Sequence, residues 1–566
     1  MNNSGYLCAE IGRMRSHYYR MNSCNNFKEP VHGNFCSNCG QPTRIPRMDV
    51  MSFLNGLLSF GMGTITSGVL IVSFGILVDL IITGCAKQET LITIEVQEQP
   101  DVDKLIYSVP HAGITFLGFT DTLTQSEAGK FALKLKKFTE PAFITIFSED
   151  YQNRVKLLVE PGNSYHVLLS PEKKSLITGA NERGQMLYAT LPDPDPVYVD
   201  SELRKWLYGN DTLPYFSVQQ QINDLKLADL TKFKELLDNR EITKSFFDLA
   251  QKDRDCYYTA LEARLLIIKS YESYRLRYNK DEGDLPGYLE KIYALYPVSD
   301  ESLYISSYWA GYSNFFVQEY KQFIHGDLDI EKLRELRNNG TYHTHILHEA
   351  KKYLNGKALE FFRARYLWME SYEGTYKGDF EKELGTLFEQ FENDYPKSAY
   401  SKYIRPYIDK IVSFHESIGK PFEQGKVIAD YETFNTLDEA IRPLRGKKIY
   451  VDVWATWCGP CKKEFEHNDV LNQILLEKDI QLLYISIDGD NKDEQWKNEI
   501  RFYRLAGAHI RANDALKLEL MVLFSGNPEN ASISIPWYLL IDEEGNIIEK
   551  HAKSPSQQVM SGGRRN

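Results

Sequence analysis

Cysteine is scarce in this chain, eight among 566 residues, too few to staple a fold of this size with disulfides. Positive charge is also short. The 66 Lys and Arg stand against 78 Asp and Glu, a formal net charge of −12. That balance repels phosphate and removes the counterion-release drive for DNA or RNA, so no nucleic-acid partner is expected. No strict repeat period is evident, which leaves no sign of a regular repeat array.

What is present is ordinary for a folded protein, with 43% hydrophobic and 25% charged residues. The length suits three or four domains, so several cores are expected. Aromatic residues are abundant at 13%, with 36 tyrosines, whose rings bury area while the hydroxyl stays wet.

The long apolar run lies from Thr66 to Thr83, interrupted only by Asp79 and preceded by Arg44 and Arg47. Positive residues before such a run favour a cytoplasmic N-terminus. The run meets Ile82-Thr83-Gly84-Cys85, which resembles a bacterial lipobox, so Cys85 is the expected lipidation site. A leader of this length exceeds the usual signal peptide of roughly 15 to 30 residues. An early start, an uncleaved anchor and an unusually long leader all remain open. Asp79 would be costly within a bilayer and favours cleavage. Nearer the start, Cys36 and Cys39 resemble one knuckle of a zinc ribbon, and Cys24 and His32 could complete a four-ligand structural zinc site. No second CxxC follows in this leader, and a vestigial segment is the competing reading.

From about 90 to 180 the chain reads as short β-branched or aromatic runs. They are Leu91 to Val96, Phe131 to Leu135, Phe143 to Phe147, and Val155 to Leu169 with a turn at Glu160-Pro161-Gly162-Asn163. A small antiparallel sandwich is expected. From about 200 to 412 apolar spacing turns helical, as in Leu230, Phe233, Leu236 and Leu237, and Pro396 closes one helix after Phe388, Phe391 and Tyr395. Beyond Pro421 the order becomes strand (449–454), helix (460–476), strand (481–487) and helix (493–505). A hairpin of 537–541 and 547–551 around Glu544-Gly545-Asn546 follows.

Between the first strand and helix of that last region stand Trp454-Ala455-Thr456-Trp457-Cys458-Gly459-Pro460-Cys461. A strand ending there delivers Cys458 to a helix N-terminus, whose unpaired N–H groups and dipole stabilise a thiolate. Only the thiolate attacks, so Cys458 is the expected nucleophile. Cys461, a turn along, is the expected resolving cysteine, and Pro460 suits the first turn because its missing N–H is not needed.

The stretch Val451 to Glu464 closely resembles thioredoxins, and more specifically the exported TlpA and ResA type, over roughly the last 150 residues. That resemblance implies a C-terminal α/β thioredoxin fold and a redox-active disulfide with no required cofactor. It also implies proton transfer by Asp452 or Glu464, and a substrate-binding surface at Trp457, Gly459, Pro460 and a cis Ile535-Pro536 peptide. Trp454 is expected to pack. Phe465-Glu466-His467 stands where the family usually has a proline, and few residues follow Lys553-Ser554-Pro555, so a short or missing last helix is expected.

The fold class is therefore multidomain. A leader (1–47) and a hydrophobic signal or anchor (48–85) precede an antiparallel β domain (86–185), read as a β-sandwich. An all-α helical domain (186–415) and a thioredoxin-like domain (416–566) follow. The expected function is an exported, membrane-anchored thiol:disulfide oxidoreductase facing the periplasm. It would reduce disulfide-containing exported proteins, for instance during cytochrome c maturation, and be recharged by a membrane electron donor. The Gly-Pro dipeptide is that of reducing thioredoxins, near about −270 mV. A disulfide oxidase or isomerase using the same cysteines, and a surface ligand- or partner-binding lipoprotein with a secondary thioredoxin domain, are the rival readings. His343, His345, His348 and Glu349 read as an exposed helix start. Asp488 to Asp493 reads as a strand-to-helix turn with an N-cap, not a calcium loop. Cys256 reads as an inert buried thiol.

Overall fold

The computed structural model describes residues 89–562, apart from 98–101, 112, 136–137, 149–153, 171–174, 192–202, 204–205, 208–213, 277–283 and 325–328. Cys24, His32, Cys36, Cys39, the apolar run and Cys85 lie outside the described residues, and so do the zinc and lipid expectations. Among the described residues no helix is long and apolar enough to cross a membrane. Nor does any group of His, Cys, Asp and Glu among them have the makings of a metal site.

The described residues form two compact units that part between Phe315 and Phe316. The helical stretch expected as one domain over 186–415 is thus divided between them.

In the first unit, β1 (Thr90–Val96), β4 (Lys130–Leu135), β7 (Ser164–Leu169) and β8 (Leu176–Gly179) make one sheet in the order β4-β1-β7-β8. The other sheet runs β3-β2-β5-β6, with β2 (Lys104–Ser108), β3 (Thr120–Thr124), β5 (Ala142–Phe147) and β6 (Arg154–Val159). Ile92, Ile94, Phe131 and Val167 from one sheet enter the same apolar core as Leu105, Ile144, Ile146 and Leu157 from the other. One expectation is corrected: β1 and β7 pair in parallel, so the β region is not wholly antiparallel. The reason is that β6 pairs with β5 while β7 pairs with β1 and β8, so the 160–163 turn carries the chain between sheets and closes no hairpin.

Among the described residues, the α-helices that follow in this unit include α1 (Glu182–Tyr188), α2 (Tyr215–Asp238), α3 (Lys244–Leu276), α4 (Leu285–Leu295) and α5 (Trp309–Asn314). Phe143 and Leu158 turn their side chains away from the shared core onto Tyr188, Phe233 and Phe246 of these helices, which is why β5 is buried on both faces. Gln185 covers the β6 edge, donating from Nε2 to Leu158 O at 2.6 Å and accepting the Leu158 N–H at 3.1 Å. Cys256 is a free, buried thiol pushed well up by burial, in keeping with an inert role.

The second unit opens in a π-helix over Phe315–Ile324, followed by α6 (Ile330–Asn338), α7 (Tyr342–Tyr353), α8 (Gly356–Lys377), α9 (Lys382–Asp394) and α10 (Ser401–Ser417). Leu384, Leu387, Phe388 and Phe391 share the buried face of α9, which stops at Tyr395 before Pro396. The exposed histidine cluster is a second correction. His343 is buried, with Nδ1 2.8 Å from the Tyr366 hydroxyl and Nε2 2.9 Å from Glu381 Oε2. A polar residue at a helix start was read as solvated, but here two partners from other helices replace water.

The C-terminal part is a six-stranded sheet ordered β14-β13-β10-β11-β12-β9. Its strands are β9 (Gly425–Val427), β10 (Ile449–Trp454), β11 (Gln481–Ser486), β12 (Gly507–Arg511), β13 (Trp537–Ile541) and β14 (Ile547–Glu549). β10 is parallel to β11 and antiparallel to β13, and all six of its residues are buried. The accompanying helices are α11 (Leu437–Ile441), α12 (Gly459–Glu464), α13 (Asn468–Glu477), α14 (Asp493–Phe502), α15 (Asp514–Ser525) and α16 (Pro555–Gly562). This is a thioredoxin-like fold.

The helix expected as continuous from 460 to 476 is broken. α12 gives way to a tight 3₁₀ turn at Phe465–His467 before α13 begins. Phe465 is buried there against Trp454, Tyr484 and Tyr503, so packing holds the chain through this turn. Phe465→Ala should lower unfolding free energy by about 3–5 kcal/mol, the usual cost of emptying a buried phenylalanine site. Denaturant unfolding of the intact chain measures it, and a loss below about 1 kcal/mol would contradict the packing assigned to this ring.

Candidate active site

β10 ends at Trp454, and four residues later Cys458 caps α12. Its Sγ lies 3.2 Å from the Cys461 backbone N–H, which donates to it. The two cysteines form a disulfide with Cα atoms 5.3 Å apart. Both sulfurs therefore sit on the first turn of one helix, where unpaired amides point outward and the dipole is positive.

Asp452 is fully buried in β10, and neither carboxylate oxygen has a hydrogen-bond partner. Burial holds its carboxyl well above the ordinary value of 3.8, and the Glu464 charge pushes the same way. Glu464 is half-buried and committed elsewhere: its Oε2 accepts the Ser556 N–H at 2.9 Å and its Oε1 the Ser556 hydroxyl at 3.0 Å. It thus caps α16, the last helix, which is short as expected but present.

The Ile535-Pro536 peptide is cis. It enters β13 one step before Trp537, which pairs with Val453, so it lies at the end of the sheet where β10 releases the chain toward Cys458. Trp454 is buried against Phe465, as packing requires, whereas Trp457 is 52% exposed beside a Cys458 that is only 3% exposed. Gly459 is buried and Pro460 exposed.

Residues 428–561 match the redoxin family. The thiol-disulfide oxidoreductase ResA of Bacillus cereus is 26% identical over 122 residues, 22% of this chain and 64% of that protein. The thioredoxin-like protein YneN of Bacillus subtilis is 22% identical over 143 residues, 24% of this chain and 76% of that one. Among solved structures, the thioredoxin domain of a thiol-disulfide oxidoreductase from Bacteroides vulgatus is 19% identical, covering 22% of this chain and 84% of that one, with a TM-score of 0.18.

Residues 428–561 are a redoxin domain. It is similar to the thiol-disulfide oxidoreductase ResA, as the motif led us to expect. The chain spans 64% of the length of the ResA protein it matches.

Several residues around the redoxin dithiol were not legible beforehand. Asp488 does not cap a helix: its carboxylate accepts the Thr456 N–H at 2.9 Å and hydroxyl at 2.8 Å, and the Ser486 hydroxyl at 2.7 Å. It thereby ties the end of β11 to the loop that carries Cys458. The N-cap of α14 is Lys492, with no side-chain capping bond, so the expected cap there is corrected. Lys462, next to Cys461, is buried with its Nζ 3.4 Å from Glu499 Oε2 of α14. Burial lowers the Lys462 ammonium and pushes Glu499 up to about 7, so desolvation works against the charged form of each partner. A lysine and a glutamate 37 positions apart carry no local sequence signal of such pairing.

Because folded Asp452 binds its proton more tightly than the unfolded chain does, it contributes stability at low pH. That contribution is lost as pH rises from 3.8 toward the raised folded value. Asp452→Asn removes the dependence. The variant should therefore gain on wild type by about 1.4 kcal/mol per pH unit across that window and match it at acid pH. Urea unfolding of the oxidised protein from pH 4 to 9 measures the difference, and parallel curves would contradict the burial assigned to this carboxyl.

Proposed function

We propose that this protein is an exported thiol:disulfide oxidoreductase that reduces protein disulfides through Cys458 and Cys461. The observation that carries the reading is Cys458 at the head of α12 with its sulfur accepting the Cys461 amide. A fully buried, unpartnered Asp452 lies in β10, the strand that leads into that helix. A dithiol at a helix N-terminus, with a carboxyl of raised proton affinity on the preceding strand, suits two-step thiol exchange.

In the reduced protein the Cys458 thiolate attacks one sulfur of a substrate disulfide. A Cys458–substrate S–S bond forms and the substrate's other sulfur leaves as thiolate. Asp452, whose raised carboxyl favours the protonated form, gives its proton to the departing substrate thiolate; as carboxylate it then accepts the proton of the Cys461 thiol, and the Cys461 thiolate attacks the Cys458 sulfur. The second substrate thiolate is released and the Cys458–Cys461 disulfide closes. Two electrons pass from the protein to the substrate, and a dithiol donor must return them. Trp457, Pro460 and the backbone at Ile535 are the surface on which an extended substrate would lie. Glu464 acts on Asp452 through its charge while holding α16.

Export and anchoring at Cys85, a membrane electron donor and a periplasmic setting rest on the 66–85 sequence and the ResA likeness. We read the two sheets that share one core as a β-sandwich module. The Gly459-Pro460 dipeptide favours reduction over oxidation.

Replacing Cys458 with Ser should lower disulfide-reduction activity by at least about a thousandfold, the scale on which loss of a nucleophile acts. Cys461→Ser should instead accumulate a substrate–Cys458 mixed disulfide, visible on non-reducing gels. Activity surviving in Cys458→Ser, or adducts forming through Cys461, would reverse the assigned roles.

A further inference from the structure

The space directly over the dithiol motif is filled by a residue from outside the redoxin domain. Gly459, between the two cysteines, has the ring of Tyr376 where its side chain would be: a Cβ there would fall inside the ring. Tyr376 belongs to the last turn of α8.

Two features hold that ring in place. Along α8, Trp368, Tyr372 and Tyr376 stack in a column at four-residue spacing, with centroids 5.0 and 6.3 Å apart and planes within 6° and 24°. Tyr407 of α10 meets both Trp368 and Tyr372 edge-on. Just beyond the column the helix ends at Gly378, whose φ of +83° and lack of a side chain let it seat within 2.5 Å of Glu499 Oε1 and 2.6 Å of Thr456 O as measured from a would-be Cβ. Its carbonyl accepts from Gln495 Nε2 at 2.7 Å. Phe380 then stacks on Phe414 at 4.0 Å and meets Phe502 of α14 edge-on. The end of α8 is therefore fixed to the loop before Cys458 and to the helix behind it.

The consequence is a one-sided site. Cys458 is 3% exposed although its neighbour Trp457 is 52% exposed, so the sulfur is reached only past a rim open toward Trp457 and Pro460 and walled at Gly459. A disulfide on a folded, convex surface needs clearance on all sides of its sulfurs. One in a small molecule or an extended segment does not.

We propose that Tyr376 is a specificity-determining residue that restricts Cys458 to disulfides carried by small molecules or extended polypeptide segments. This rests on the dithiol reading above and adds the substrate class to it. The attack is the exchange already written; only which disulfide sulfur can reach Cys458 is at issue.

The test is single-turnover oxidation of the pre-reduced intact chain by dithionitrobenzoate, a small disulfide, and by native insulin, whose disulfides lie in a compact fold. Tyr376→Ala should raise the insulin rate by about tenfold or more while the small-disulfide rate stays within about twofold. Tyr376→Phe should leave both unchanged, since the ring and not the hydroxyl forms the wall. Gly459→Ala, whose methyl displaces the ring from the other side, should move the insulin-to-small-disulfide ratio in the same direction, and so serves if Tyr376→Ala does not fold. An unmoved ratio, or equal changes on both substrates, overturns the proposal and leaves the dithiol reading standing. A wild-type chain that reduces neither disulfide overturns both.

Discussion

A thiolate held in an almost dry site needs fixed positive partial charge beside it, and the first turn of α12 supplies that charge. The Cys461 amide donates to the Cys458 sulfur, and the amides ahead of it share the positive end of the helix. Much of the second unit follows from keeping that turn still. Asp488 grips Thr456 just before it, Phe465 bends the chain just after it, and β10 runs through the centre of the sheet behind it. A loosened turn would let water compete for the sulfur, and the preference for thiolate over thiol would fade.

The charges around the turn are arranged by burial more than by pairing. Asp452 is left without partners, and burial raises its affinity for a proton. Lys462 and Glu499 share a site too dry for either to be fully charged at ease. Their proximity to the end of α8 means that the segment preceding the redoxin domain leans on the same electrostatic ground as the dithiol. Glu464, a second carboxyl on the helix, is spent on fastening α16. In the proposed exchange the two carboxyls divide into a proton carrier, Asp452, and a structural cap, Glu464.

The sequence made the central machinery legible because its signals are local. The strand Ile449–Trp454, the CGPC turn, the hairpin around Gly545 and the stop at Pro396 each depend on residues within a few positions of one another. Short strands with mixed composition, such as Lys104–Ser108, Gly425–Val427 and Gly507–Arg511, carried too little periodicity to be seen, and their pairing is long-range. The same holds for the site. Cys458, Cys461 and Asp452 announce themselves, whereas Asp488, Glu499 and Tyr376 reach the dithiol only through the fold. His343 failed in the opposite sense, because a helix-start histidine looks solvated until Tyr366 and Glu381 arrive from elsewhere.

The central claim is that the helix end, and not exposure, makes Cys458 the reactive sulfur. The most direct measurement is the pH dependence of iodoacetamide alkylation of the reduced chain, with the modified cysteine identified by mass spectrometry. The expected result is that Cys458 reacts first, along a titration centred below the ordinary thiol value of about 8.5, with Cys461 untouched until higher pH. A midpoint for Cys458 at or above that value, or earlier alkylation of Cys461, would contradict the account.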